Sequence, residues 1–218
     1  DIAAAVGTPV YVYSAAVVRD RYRAIDSSFG GYPHALHYAL KANSALAIAR
    51  LLRGLGSGVD ANSVWEIEVA RRAGFDASQI VFTGVGKSPA ELECAVALGV
   101  KAINVESAGE LARVEAIAAR LGRRARVAVR LNPDIDARSH PHISTGLRIN
   151  KFGVSVDEAL PLLHALGRRP HLELVAVHDA AYTVQSSTTF ISSFAVAAMI
   201  SRVSLILSLS RPGSSTMI

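Results

Sequence analysis

The sequence predicts an α/β fold in which a parallel sheet forms a (β/α)8 TIM-type barrel that is incomplete, with about six of the eight strands present. Three observations lead to this prediction. Short apolar runs recur, the first five of them about 22 to 25 residues apart. Segments with the period of an amphipathic helix lie between them, and a glycine follows each segment. Strands that alternate with helices at this spacing are typical of βα units with parallel strands.

The apolar runs are predicted to be strands because they are too short for helices and contain valine, isoleucine and tyrosine. They comprise residues 36–40, 58–61, 80–83, 102–105, 127–131 and 172–178. Good helix formers with apolar residues at i, i+3 and i+4 predict the helices between them, at residues 44–55, 63–73, 89–98 and 109–121. Ser88 and Pro89 are typical of an N-cap and a first helical position. Left-handed C-caps are predicted at Gly56, Gly74, Gly99 and Gly122.

Two arrangements of the sheet are compatible with this order, a barrel and an open doubly wound sheet. No G-x-G-x-x-G motif follows any strand, which disfavours the dinucleotide-binding version of the open sheet. A complete barrel typically has about 250 residues, so this chain of 218 residues is expected to lack about two strands. Before the first barrel strand, residues 11–13 are predicted to form a strand and residues 15–27 a helix.

The chain is predicted to have three parts. Residues 1–33 hold the N-terminal strand and helix, residues 34–184 form the partial barrel, and residues 185–218 are an atypical serine-rich tail. Within the barrel, residues 132–150 have no periodicity, and a long run of this kind in a compact domain is usually functional or disordered. Because the run follows the fifth strand, it would lie on the C-terminal face, where barrel active sites are built.

Composition excludes several classes of protein. With 50% hydrophobic and 19% charged residues, the chain is not disordered as a whole, and its single cysteine, Cys94, rules out a disulfide framework. The net charge is +5, and the basic residues are interpreted as lying on solvated helix faces and loops. Because the sequence contains no nucleic-acid-binding motif, no nucleic-acid partner is expected. Serines and Arg202 interrupt the apolar stretch 190–209, so no membrane span is expected. No signal peptide is visible, and a cytoplasmic location is expected.

Lys41 is the first candidate for chemistry, since it directly follows the first barrel strand. At the mouth of a barrel a lysine amine can be desolvated and made ready to form an imine with an aldehyde. A lone lysine at a strand end is more often a solvated surface charge, so the neighbouring motifs decide its interpretation.

Those motifs resemble a known family. YALKAN, which contains Lys41, resembles the pyridoxal-phosphate lysine motif of the fold-type III decarboxylases, the enzymes with an alanine-racemase-like barrel. GVD at residues 58–60 with Ser63 and Glu66, IVFTGVG at 80–86 and NVESAGE at 104–110 resemble the next three strands of that family. RLNPD at 130–134, HPHISTGL at 140–147 and NKFG at 150–153 follow in order, and they resemble its diaminopimelate decarboxylase branch more than its ornithine or arginine relatives.

The resemblance implies a cofactor, pyridoxal 5'-phosphate, and a role for each matching residue. Lys41 would hold the cofactor as a Schiff base and later move a proton. The implied cofactor-binding residues are Lys41, Asp60, Glu66, Arg130 and His178, and the implied substrate-loop residues are His140, Ser144, Thr145 and Gly146. From the residues alone, Asp60 could equally be a helix N-cap, Glu66 a solvated charge and His140 an ordinary loop histidine. No metal site is implied.

The resemblance ends near His178. Ala180 stands where the family has a histidine that stacks on the cofactor, and there is no glycine between Gly167 and Gly213, where the family has its phosphate loop. The resemblance therefore implies a truncated N-terminal portion of an enzyme that decarboxylates meso-diaminopimelate to L-lysine, with low or no activity alone. A homodimer is implied for the full-length form. A non-catalytic cofactor-binding barrel and a non-functional fragment are the alternatives.

Overall fold

The computed structural model describes residues 2–132 and 153–179. Within them lie seven helices, α1 to α7: Ile2–Val6, Ala15–Ser28, Leu46–Gly54, Val64–Ala73, Pro89–Leu98, Ala108–Arg120 and Val156–Leu166. The same residues hold seven strands, β1 to β7: His37–Ala39, Gly58–Ala61, Ile80–Phe82, Ala102–Val105, Ala125–Asn132, Val154–Ser155 and Leu172–Asp179. From β1 to β5 a single α-helix lies between each strand and the next, which confirms the predicted βα order.

The strands form one sheet in which every pair is parallel. The order is β1-β2-β3-β4-β5-β6, and β7 also pairs with β5. Each strand from β1 to β5 lies beside its successor along the chain, as in a barrel, and this confirms the predicted α/β barrel class. Over the residues that the structure describes, β1 pairs with β2 and β7 with β5, so the sheet does not close and the barrel is partial.

Serine side chains cap the starts of helices α4 and α5, and glycines follow their ends. Ser63 caps α4 by accepting from the Glu66 amide, and Ser88 forms a reciprocal capping box with Glu91 at the start of α5. Pro89 occupies the first turn of α5 as predicted. Helices α4 and α5 end at Gly74 and Gly99, both in the left-handed conformation that glycine adopts without strain.

The hydrophobic core lies between this sheet and its helices. Its largest fully buried side chains come from strands β2 to β5 and from the helices between them, and Phe82 is 0% exposed. The predicted strands 58–61 and 102–105 match β2 and β4 residue for residue. Short parallel strands buried on both faces are continuous apolar runs, so the sequence alone marks them clearly.

Two local predictions differ from the structure. The strand predicted at residues 11–13 is absent, because this segment is exposed and has no strand ladder among the described residues. Strand β6 and helix α7, which starts at its N-cap Ser155, were not predicted, since Pro161 inside α7 weakens the helical signal. The aperiodic run 132–150 lies outside the described residues, apart from Asn132. No helix among the described residues is long and apolar enough to cross a membrane.

Candidate active site at the carboxyl ends of the strands

Four of the predicted site residues lie at one end of the sheet. Parallel strands have their carboxyl ends at the same edge, and Lys41, Asp60, Arg130 and His178 come at or just after the ends of β1, β2, β5 and β7. Lys41 lies in a single 3-10 turn, Leu40–Ala42, which Leu40 anchors in the core with 0% exposure. The Lys41 side chain is exposed, so its amine is accessible from the open end of the barrel.

Asp60 is partly buried at the end of β2 and accepts a hydrogen bond from the Thr83 hydroxyl. Burial raises the pKa of the Asp60 carboxyl above its ordinary value, and the nearby negative charge of Glu66 acts in the same direction. The Thr83 hydrogen bond and the positive charges of Lys41 and Arg130 lower that pKa. Asp60 therefore belongs to one electrostatic cluster with the lysine and arginine, and it does not cap α4, whose N-cap is Ser63.

Glu66 lies in the first turn of α4. Its carboxylate accepts from the main-chain N–H of Asn62 at 2.7 Å and so closes the turn between β2 and α4. This contact excludes the interpretation of Glu66 as a freely solvated charge. It fixes the peptide that follows Asp60, and its charge reaches the Asp60 carboxyl.

Arg130 forms a nearly buried ion pair with Glu106. The guanidinium Nη1 lies 2.7 Å from Glu106 Oε1, with side chains 11% and 8% exposed. Glu106 Oε2 also accepts from the main-chain N–H of Gly153 at 3.1 Å. A Cβ atom on Gly153 would lie 2.9 Å from the Arg130 carbonyl oxygen, so only glycine allows this close approach. The carboxylate thus joins the ends of β4 and β5 to the start of β6.

His178 lies beside Arg130 in the register of β5 and β7. Burial, together with the positive charges of Arg130 and Lys87, lowers the pKa of His178 to about 4. Its Nδ1 is buried and has no hydrogen-bond partner among the described residues. The ring is therefore neutral near pH 7.

The structure adds polar residues to which the sequence motifs had given no role. Thr83 and Asn104 stand at the carboxyl ends of β3 and β4, and the buried ion pair of Lys87 and Glu110 lies behind them. Two features of the sequence could have pointed to these residues. Polar residues stand at the ends of buried apolar strands, and a lysine follows a glycine-rich turn. The implied substrate-loop residues His140, Ser144, Thr145 and Gly146 lie outside the described residues, and so does Ala180.

Together these residues define a partial α/β barrel with an exposed lysine at its open end. The family model described as "Pyridoxal-dependent decarboxylase, pyridoxal binding domain" matches residues 15–204. The chain therefore belongs to the pyridoxal-dependent decarboxylase family, and the cofactor of that domain is pyridoxal phosphate.

Several similar proteins of known name are diaminopimelate decarboxylases. The enzyme of Vibrio cholerae is 45% identical over 194 residues, which cover 89% of this chain and 46% of the relative. That of Pseudomonas aeruginosa is 45% identical over 176 residues, or 81% of this chain and 42% of the relative. The crystal structure of the Helicobacter pylori enzyme complexed with L-lysine aligns with a TM-score of 0.81 at 40% identity, covering 93% of this chain and 51% of that one. The chain thus spans about half the length of these relatives, or less.

Proposed function

We propose that this chain is the N-terminal, cofactor-binding portion of an enzyme that decarboxylates meso-diaminopimelate to L-lysine, with pyridoxal phosphate held by Lys41. The observation that carries the proposal is the exposed Lys41 amine at the open end of the sheet, beside the cluster of Asp60, Arg130 and His178. The 45% identity to two diaminopimelate decarboxylases supports the choice of substrate. The proposal includes a cytoplasmic location and a homodimer for the full-length form.

The residues present fit the cofactor in two respects. A primary amine is accessible at the carboxyl end of β1, as a covalent bond to an aldehyde requires. The neutral ring of His178 has a buried nitrogen without a partner among the described residues, so it can accept or donate one further hydrogen bond at the site. We assign residues 34–184 to the barrel that carries this site, with 1–33 leading into it and 185–218 as the tail.

When bound, pyridoxal phosphate supplies an electron sink for the pair of electrons left on the α-carbon after loss of carbon dioxide. The protein's contribution is to place charges and move protons. Lys41 would hold the cofactor, and its amine would carry a proton to the substrate carbon. Asp60 and Arg130 hold opposite charges at fixed positions on the site, and Glu106 keeps the guanidinium of Arg130 in place. Glu66 holds the turn that presents Asp60, and the loop with His140, Ser144, Thr145 and Gly146 is proposed to contact the substrate.

Covalent trapping tests this proposal directly. The chain has four lysines, Lys41, Lys87, Lys101 and Lys151, so a reduced adduct can be mapped without ambiguity. The purified chain is mixed with pyridoxal phosphate, treated with borohydride and analysed by peptide mass spectrometry. One adduct per chain is expected, at Lys41, and it is lost in Lys41→Arg but kept in the matched control Lys101→Arg. Labelling spread evenly over the lysines and the amino terminus would contradict the proposal.

An assay of carbon dioxide release from meso-diaminopimelate follows the trapping experiment. This chain alone is expected to show low or no turnover, because it spans less than half of the curated relatives. Addition of the C-terminal half of the Vibrio cholerae relative as a separate chain, or its fusion, is expected to give turnover. Specific labelling of Lys41 without turnover in the fused protein would favour the non-catalytic cofactor-binding barrel.

A further inference from the structure

A chain of hydrogen bonds crosses three neighbouring strands and ends on Asp60. The side-chain amide of Asn104, at β4, donates from Nδ2 to Thr83 Oγ1 at 2.9 Å. The Thr83 hydroxyl, at the end of β3, donates to Asp60 Oδ1. Asn104 is 4% and Thr83 7% exposed, so water does not compete effectively for these contacts. The three residues form a relay with Asp60 as its terminal acceptor.

The direction of this relay is fixed by the chemistry of its members. The Nδ2 atom of an asparagine can only donate, so the Thr83 oxygen is the acceptor in the first bond. A hydroxyl has a single proton, and in this geometry that proton points to Asp60. The relay therefore favours a carboxylate at Asp60, which accepts without giving up a proton of its own.

The buried amine of Lys87 anchors the ends of the strands that carry the relay. Lys87 Nζ donates to the carbonyl oxygens of Gly84 and Asn104 and to Glu110 Oε1, each at 2.7 Å. The side chains of Lys87 and Glu110 are 1% and 3% exposed. An ammonium group has three donors, and all three are used here. Lys87 thus links the turn that follows β3 to the carboxyl end of β4.

We propose that Thr83 and Asn104 are positioning residues that hold the Asp60 carboxylate in one orientation within the charged cluster of Lys41, Glu66 and Arg130. Neither residue contacts a reacting group in this arrangement, and both act through Asp60. Any effect of this positioning on catalysis rests on the proposed function, whereas the hydrogen bonds of the relay belong to the folded chain itself.

The closing experiment titrates Asp60 itself. The 218-residue chain is labelled with ¹³C at the aspartate carboxyl carbon, its spectra are recorded across the acidic pH range, and Asp60→Asn identifies the signal. Thr83→Val removes the hydroxyl at nearly constant volume, and the matched control Thr83→Ser keeps it. We expect the midpoint of Asp60 to move upward in Thr83→Val and to stay at its parent value in Thr83→Ser, because only valine removes the hydrogen bond to the charged form.

Asn104→Ala supplies an independent variant in case valine disturbs the core, and thermal melts check that each variant is folded. Asn104→Ala removes the first donor of the relay and leaves the main-chain oxygen of residue 104 bound to Lys87. The midpoint of Asp60 is therefore expected to move upward less than in Thr83→Val. Equal midpoints in Thr83→Val and Thr83→Ser would overturn the proposal, as would a larger shift in Asn104→Ala than in Thr83→Val.

A second readout links the relay to the cofactor site. The rate of borohydride-trapped attachment of pyridoxal phosphate at Lys41 is expected to fall by about tenfold in Thr83→Val and to remain at the parent value in Thr83→Ser. Failure of trapping in the parent chain would count against the proposed function and leave the titration of Asp60 as the test of the relay. Normal trapping with unshifted midpoints would instead overturn the relay alone.

Discussion

The segment before β1 and the βα units from β2 to β5 contain similar fractions of apolar residues in helices but bury them very differently. Helices α1 and α2 bury no residue, and Tyr11 and Tyr13 are 87% and 60% exposed. Helices α4, α5 and α6 each bury three residues or more against the sheet. An amphipathic pattern makes a helix possible, and burial of its apolar face makes it contribute to stability.

A cavity of about 470 Å³ lies between α2 and the start of the sheet, at β1 and α3. Apolar side chains of both line it, including Val17 and Val18 from α2 and Ile48 and Leu52 from α3. Helix α2 thus lies near the sheet without sealing against it. The units from β2 to β5 are therefore expected to provide most of the stability of the chain, and the segment before β1 little. The predictions that follow measure this difference, from the largest effect to the smallest.

Truncation of a core ring should have the largest effect. Phe82→Ala removes a side chain that is 0% exposed in β3 and is expected to lower the free energy of unfolding by about 3 to 5 kcal/mol. The matched variant Tyr11→Ala, at 87% exposure, is expected to change it by less than about 0.5 kcal/mol. Urea denaturation followed by circular dichroism measures both. Comparable losses in the two variants would show that the N-terminal segment is as well packed as the sheet.

Breaking the buried ion pair should come next. Glu110→Gln leaves the Lys87 ammonium without its charged partner at 1% exposure, and a loss of about 3 kcal/mol is expected. Glu93→Gln is the control, because Glu93 pairs with Arg120 on the surface and its removal should leave the denaturation midpoint unchanged. A midpoint for Glu110→Gln within error of the parent would contradict the anchoring role of Lys87.

The sheet, through His178 in β7, and the N-terminal segment should respond to pH in opposite directions. The pKa of His178 is lowered to about 4 by burial and by Arg130 and Lys87, so the unfolded chain binds the extra proton first. Its contribution, on the order of 3 kcal/mol, is fully present above pH 6.5 and is lost as the pH falls toward 4. His178→Gln should flatten the rise in stability across that window.

In the N-terminal segment, hydrogen bonds to the Tyr32 carbonyl and to Asp26 raise the pKa of His34. Its contribution is therefore present at acidic pH and disappears as the pH rises through the raised pKa. Because His34 is solvent-exposed, His34→Gln should change the pH dependence much less than His178→Gln. Denaturation curves measured between pH 4 and 7 test this expectation. It would be contradicted if His34→Gln changed the pH dependence of stability more than His178→Gln.

Helix caps should show the smallest difference. Ser88→Ala removes the capping box of α5, a helix packed in the core, and about 1 kcal/mol of stability should be lost. Ser14→Ala removes a single long contact, 3.4 Å to the amide of Val17, from α2. Since α2 buries no residue, its cap should have a smaller effect in the same denaturation experiment. An equal loss at Ser14 would show that α2 is coupled to the cooperative unfolding of the sheet.

Sequence patterns predicted the repeating units well and the irregular parts poorly. Strands β2 and β4 were placed residue for residue, because a buried run bounded by polar residues and glycine is a local signal. Helix α7 was missed although Ser155 and Glu158 form a capping box at its start. Residues 11–13 have the alternating tyrosine and valine of a strand, yet a strand also needs a neighbour, which local sequence does not reveal.

The sequence by itself determined the order of strands and helices from β1 to β5 and the position of Lys41 two residues after β1. Both depend on residues a few positions apart, within the range of local periodicity and turn chemistry. Only the tertiary structure decided that Asp60, Thr83 and Asn104 are bonded, since these pairs are 23 and 21 residues apart along the chain. Their contact depends on the register of three neighbouring strands, and that register is set by packing of the whole sheet.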